Sequence, residues 1–224
     1  MTVITISREF GSGGADIAQQ VAHALGYHHA GQELIGKVLA QYGIVEFDQE
    51  YDTTLSFWER FDARRAQRRE VMQEMLHRVV LALAQHGNVV IVGRGSFAAL
   101  ADYGDVLNVR IQAPLAQRAG RVMAQKGLAS VEEATAAVQE ADKVRTAFIE
   151  SVYSTRWDDA RAFDLVIDTG KIAAELAVVW VVAAARALPA RPAGDQPSAA
   201  ALQVDSVLAS VVSAQLKCQA DHNA

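Results

Sequence analysis

Four short runs of aliphatic, mostly β-branched residues limit what this chain can fold into: TVITI (2–6), NVVIVG (88–93), DVLNVRI (105–111) and FDLVID (163–168). Long stretches with helical spacing separate them, which is the pattern of an α/β protein with a parallel sheet covered by helices. The 224 residues suffice for one such domain plus an appendage. Hydrophobic residues make up 51% and the net charge is -5, so the composition is that of an ordered protein with no bulk positive charge to hold nucleic acid. The single cysteine, Cys218, excludes an internal disulfide framework and a CxxC metal site. No basic region followed by an apolar core stands at the N-terminus, and a cytoplasmic location is expected.

The first run leads into ISREFGSGGADIAQQVAHAL (6–25), a strand, a glycine cluster, and then Ile17, Val21 and Leu25 at helical spacing. Where the common phosphate-binding pattern G-x-x-x-x-G-K-[ST] has lysine and a hydroxyl residue, this chain has Gly14 and Ala15. Backbone N–H groups at a helix start still attract an anion, because Gly11, Gly13 and Gly14 let the chain wrap closely around it. The lysine's charge is missing, and Arg8 is the nearest cation in sequence. Asp16 must face away from any phosphate, and a metal would need another protein ligand or would rest on water and nucleotide. A purely structural strand-to-helix turn remains the alternative reading of the glycines.

Gly93, Arg94 and Gly95 follow a second strand pattern, which puts Arg94 at the carboxyl end of a strand, where open parallel sheets bind ligands. From Leu115 to Val152 the period is helical, with Arg118 and Arg121, a capping-box pattern at Ser130 to Glu133, and Asp142 and Arg145 on one helix face. This helical pair is a candidate lid. Trp58 and Phe61 read as packing residues, Arg64, Arg65, Arg68 and Arg69 as a solvated basic face, and His28 and His29 as satisfied or exposed rather than metal ligands.

ISREFGSGG, VIVGRG, DVLNVRIQAPLAQRAGR, EADKVR and FDLVIDTGKI, in that order over about residues 2–183, resemble the cytidylate kinase-like branch of the P-loop nucleoside monophosphate kinases. The resemblance implies a P-loop kinase three-layer sandwich with a five-stranded parallel sheet, a helical lid at about 115–158, and ATP with Mg²⁺ as cofactors. ATP phosphates would lie at Arg8, Gly11, Ser12, Gly13 and Gly14, and the acceptor phosphate, CMP's first, at Arg94. Arg118, Arg121 and Arg145, with Asp142 orienting Arg145, would close over the transferring group. Two aspartates of the family pattern are absent, Gly95 and Gly31 standing in their places. A nucleotide-binding regulatory protein without catalysis, a kinase of another small acceptor, and an assembly module are the competing readings.

The run 172–188 is too short for a bilayer span and reads as a buried helix. LPARPAGDQPSA (188–199) holds three of the four prolines and marks a linker after a domain of residues 1–188, with the core expected to end before it. Residues 200–224 then form an amphipathic tail helix, for which docking on its own domain and a homodimer contact stand as equal alternatives.

Overall fold

Alternation along the strands divides the core in two. Val89 and Ile91 of β3 (Val89–Val92) pack on one side of the sheet, whereas Val90 and Val92 pack on the other. The same period of two separates Val3 from Ile4 and Ile6 in β1 (Val3–Arg8), and Val106 from Leu107, Val109 and Ile111 in β4 (Val106–Gln112). A strand buried on both faces must be apolar on both, which is why these runs are nearly continuous. The computed structural model describes residues 2–44, 63–189 and 195–222. With β2 (His28–Ala30) and β5 (Leu165–Asp168) the sheet has five parallel strands in the order β2-β3-β1-β4-β5.

One face is covered by α1 (Gly14–Leu25), which follows β1, and by α7 (Ala174–Ala187). The other face carries α2 (Gln32–Ala40), α3 (Ala63–His86) and α8 (Ser206–His222). The short α4 (Ser96–Ala99) follows β3, and α5 (Leu115–Lys126) with α6 (Val131–Tyr153) packs as a pair after β4. The expected cap of α6 is present: Ser130 Oγ accepts from Glu133 N at 3.1 Å, and Glu133 Oε2 accepts from Ala129 N at 3.2 Å. Trp58 and Phe61 lie outside the described residues, and for Arg64 and Arg65 only the backbone is described.

Two expectations change. The core does not stop at the proline-rich stretch, because Leu208, Val212 and Leu216 of α8 are buried in the same cluster as Leu34, Leu76 and Ile91. The chain entering α8 is pinned by Asp105, which accepts from Ser198 Oγ at 2.6 Å and Ala199 N at 2.8 Å. Apolar spacing announced the helix but could not name its partner surface, which is supplied by α2, α3 and β2 of its own domain. The 172–188 run, expected as a buried helix, is one-sided: Ala177, Val181 and Ala185 pack inward while Leu176, Val179 and Trp180 are exposed. No described helix is long and apolar enough to cross a membrane.

Leu216 is fully buried. Leu216→Ala should therefore cost about 2–5 kcal/mol in urea unfolding of the full chain; a loss under about 1 kcal/mol would show that α8 contributes little to the core.

Candidate active site

The strand face that begins apolar becomes polar as β1 and β4 run toward their carboxyl ends. Val3 pairs with Val106, then Thr5 with Asn108, then Ser7 with Arg110. All four of these polar residues are buried, so each needs a partner. Thr5 Oγ1 donates to Asn108 Oδ1 at 2.7 Å, and Trp157 Nε1 donates to Ser7 Oγ at 2.8 Å. Arg110 Nη1 donates to the Trp157 carbonyl at 2.7 Å, and its guanidinium lies 4.7 Å from the Trp157 ring centroid. Burial pulls the Arg110 pKa down, and the carboxylate of Glu9 works against that shift.

Glu9 opens the glycine loop. It accepts from Arg110 Nη2 at 3.3 Å and from Ala113 N at 3.1 Å, and lies 3.3 Å from Arg118 Nε. Arg118, 9% exposed, donates onward to the carbonyls of Ala113 and Phe10, and Asp142 accepts from Arg118 Nη1, Phe10 N and Arg145 Nη1. The loop's first half is thus fixed from β4, α5 and α6 at once. Its second half is fixed from the residue after β5 and from α5: Thr169 Oγ1 donates to the Ser12 carbonyl at 2.7 Å, while Arg121 donates to Thr169 Oγ1 at 3.0 Å and to the Gly11 carbonyl at 3.4 Å.

Within the loop the glycines have separate causes. Gly11 has φ +79° and faces α5, where a Cβ would come 2.8 Å from the Arg118 carbonyl oxygen. Gly13 also has φ +79°, but a Cβ there would meet nothing within 4 Å, so this side of the loop is open. Gly13 starts α1 with no side-chain cap, since Ser12 Oγ donates backward to the Glu9 carbonyl at 2.8 Å. An uncapped helix start facing open space is an anion site in electrostatic terms. Asp16 is exposed in the first turn.

Arg94 is 3% exposed and holds φ +59° between Gly93 at +70° and Gly95 at +71°. A left-handed non-glycine residue costs about 1–2 kcal/mol, a strain that collects at functional sites. Arg8, Arg94 and Arg145 line one small cleft with Phe97, Ile149 and Trp157, and none of its described lining residues is acidic. The two missing aspartates now have a local cause. A Cβ on Gly95 would overlap the Tyr153 ring, and one on Gly31 would come 2.9 Å from His29 Cε1. His29, expected to be satisfied or exposed, instead has a buried Nε2 with no hydrogen-bond partner among the described residues. Burial first, and then nearby Arg8, lower its pKa.

Among the candidate residues, the structure brings Gly11, Ser12, Gly13 and Gly14 together with Arg118, Arg121 and Asp142 at the loop, and Arg8 with Arg94 and Arg145 at the cleft. Glu9, Arg110, Trp157 and Thr169 escaped the sequence reading. Only the reversal from apolar to polar at alternate strand positions, Thr5, Ser7, Asn108 and Arg110, signalled the first group.

A five-stranded parallel sheet with a glycine loop between β1 and α1 defines the architecture as the P-loop kinase fold. Among solved structures, an uncharacterized protein from Eubacterium ventriosum superposes with TM-score 0.59 at 21% identity over 84% of this chain and 99% of its own. The shikimate kinase of Bacteroides thetaiotaomicron does so with TM-score 0.50 at 16% identity over 83% and 98%. The chain belongs to the cytidylate kinase-like family, whose model matches residues 3–171. It is 30% identical over 178 residues to the cytidylate kinase of Ignicoccus hospitalis, covering 80% of this chain and 95% of that protein. With the cytidylate kinase of Pyrococcus horikoshii it shares 31% identity over 198 residues, covering 88% and 93%.

Asp142→Asn leaves Arg118 and Arg145 facing a neutral group in a largely buried setting. Urea unfolding should report a loss of about 3 kcal/mol, and a change below about 1 kcal/mol would mean solvent screens the network.

Proposed function

We propose that this chain transfers the γ-phosphoryl group of ATP to CMP or a related nucleoside monophosphate. The observation that carries this reading is the cleft that brings Arg8, Arg94 and Arg145 together, with no acid among its described lining residues, beside an uncapped helix start. Two anions brought together repel, and a reaction between them needs fixed cations on both sides. Phosphoryl transfer asks for little else from protein beyond in-line placement and exclusion of water, for which Phe97, Ile149 and Trp157 supply an apolar wall.

ATP phosphates would rest on Gly11 to Gly14, and the acceptor phosphate on Arg94. Arg118 and Arg121 would act by holding the loop's carbonyl groups in place, since those are their partners. Arg145 would complete the cleft from α6. Among the described residues no cluster of three His, Cys, Asp or Glu could hold a metal ion, and Glu9 and Asp142 are engaged by arginines. Mg²⁺ would therefore enter as the ATP complex, kept on nucleotide oxygens and water as this hard, reluctantly dehydrated ion commonly is.

The test is ADP formation from Mg²⁺-ATP with CMP, dCMP, UMP, AMP, GMP and no acceptor in parallel. Acceptor-dependent ADP supports the reading, with CMP expected to give the highest kcat/KM. No ADP in any well would favour a nucleotide-binding regulatory protein, a reading motivated by the missing loop lysine and hydroxyl. Arg94→Ala should raise the acceptor KM roughly 10–100-fold with little change in the ATP KM, as loss of a charge-assisted contact does. An unchanged acceptor KM would remove Arg94 from that role. Gly13→Val, strained and projecting into the open side of the loop, should abolish ATP binding in calorimetry.

A further inference from the structure

Arg8 ends β1, and its side chain is pressed between two glycines that belong to different halves of the site. At one end, a Cβ on Gly14 would come 2.6 Å from Arg8 Cβ and 3.2 Å from Arg8 Cγ. Gly14 occupies the place of the missing loop lysine, so the arginine stem occupies space that a side chain at 14 would need. At the other end, a Cβ on Gly93 would overlap Arg8 Nη1 and come 3.0 Å from Cζ. One side chain thus runs from the first residue of α1 to the end of β3, where Arg94 begins the acceptor side. Its guanidinium also lies close enough to His29 to disfavour that ring's protonation.

Given the phosphotransferase reading, we propose that Arg8 replaces the loop lysine from the opposite wall, its guanidinium contacting the phosphoryl group in transit between the glycine loop and Arg94. In that step the bond from the γ-phosphorus to the β,γ-bridging oxygen breaks, and ADP leaves with the electron pair. An oxygen of the acceptor monophosphate forms the new bond to the γ-phosphorus, so the total charge of the two nucleotides is unchanged and Arg8 keeps its proton throughout. A planar fork with donors on two edges suits a group whose charge spreads over equatorial oxygens. The glycines at 14 and 93 are then a matched pair: the first gives up the lysine, and the second clears the path for its substitute.

The experiment compares the full chain with Arg8→Gln, Arg8→Lys, Gly14→Lys and the double change Arg8→Gly with Gly14→Lys. Steady-state rates with Mg²⁺-ATP and CMP are combined with calorimetry of a non-hydrolysable ATP analogue, CMP, and adenosine and cytidine joined through five phosphates. Arg8→Gln should lower kcat about 100-fold, the usual scale for one lost transition-state donor. Both KM values should stay within about threefold, and the linked analogue should lose affinity while ATP analogue and CMP alone keep theirs. Gly14→Lys alone should be inactive through overlap with Arg8, and the double change should recover at least about tenfold in kcat over Arg8→Gln, within that same scale. Weakening of the ATP analogue alone would make Arg8 a donor-side ligand and overturn the proposal; weakening of CMP alone would overturn it in the other direction. If the unaltered chain forms no ADP with CMP or with any of the other four monophosphates, the phosphotransferase reading falls, and calorimetry still judges Arg8. Equal affinity of wild type and Arg8→Gln for the linked analogue overturns it.

Discussion

Everything at the carboxyl end of the sheet depends on how the Glu9 carboxylate is neutralised. It stands at the opening of the glycine loop, close in sequence to the uncapped, positive start of α1, so left unpaired it would oppose any anion approaching that helix end. Arg110, with 5% of its side chain exposed, and Arg118 compensate it, and Asp142 balances Arg118 in turn. A buried ion of either sign costs several kcal/mol unless it is paired and hydrogen-bonded. Removing any member therefore disturbs the others. Because Glu9 follows β1 directly and its partners come from β4, α5 and α6, this local electrical constraint becomes a geometric one: the loop can adopt its shape only when those elements are in register. Arginine suits the task better than lysine, since Arg110 reaches the Trp157 carbonyl, Gln112 and Glu9 with one planar group.

Polar side chains inside the sheet lead to the same place. Thr5 and Asn108 satisfy each other one step below Ser7 and Arg110, and Trp157 clamps both of the latter. Trp157 lies after the end of α6, so its indole holds the segment that returns from the helical pair to β5. The apolar wall of the cleft and the fixed end of α6 are thus one feature seen from two sides. Tyr153, the last residue of α6, reaches the same neighbourhood by covering Gly95. Glycine at 95 is what lets an aromatic ring close this end of the cleft.

Much of the fold could be read in the sequence because its signals are local. The strand runs recur as β1, β3, β4 and β5, the glycine cluster lies between β1 and α1, and Ser130 caps α6 as its spacing requires. What could not be read depends on distance along the chain. Glu9 and Arg110 are separated by 101 positions, and Thr169 and the Ser12 carbonyl by 157. No periodicity encodes such a pairing, although the polar residues placed among buried strand positions were a visible irregularity. The tail fails differently: Leu208, Val212 and Leu216 identify a face, but a face complementary to α2 and α3 has the same spacing as one made for another molecule. The glycines at 31 and 95 looked like simple losses of aspartate, since the rings of His29 and Tyr153 that fill the space are invisible in a linear pattern.

The arginines of the site fall into two groups by what surrounds them. Arg110, Arg118 and Arg121 give their donors to oxygens of the fold, chiefly carbonyls of the loop and its neighbours. Arg8 and Arg94 share a cleft with no acid among its described lining residues, and Arg145 belongs partly to each group through Asp142. The first group fixes the loop before any ligand arrives, which lowers the cost of organising it at the moment of reaction. The second places three cations on one cleft beside the glycine loop. Under the proposed function, a loop without the lysine would still serve as a phosphate site, its backbone held by one set of cations while the other set would supply the charge.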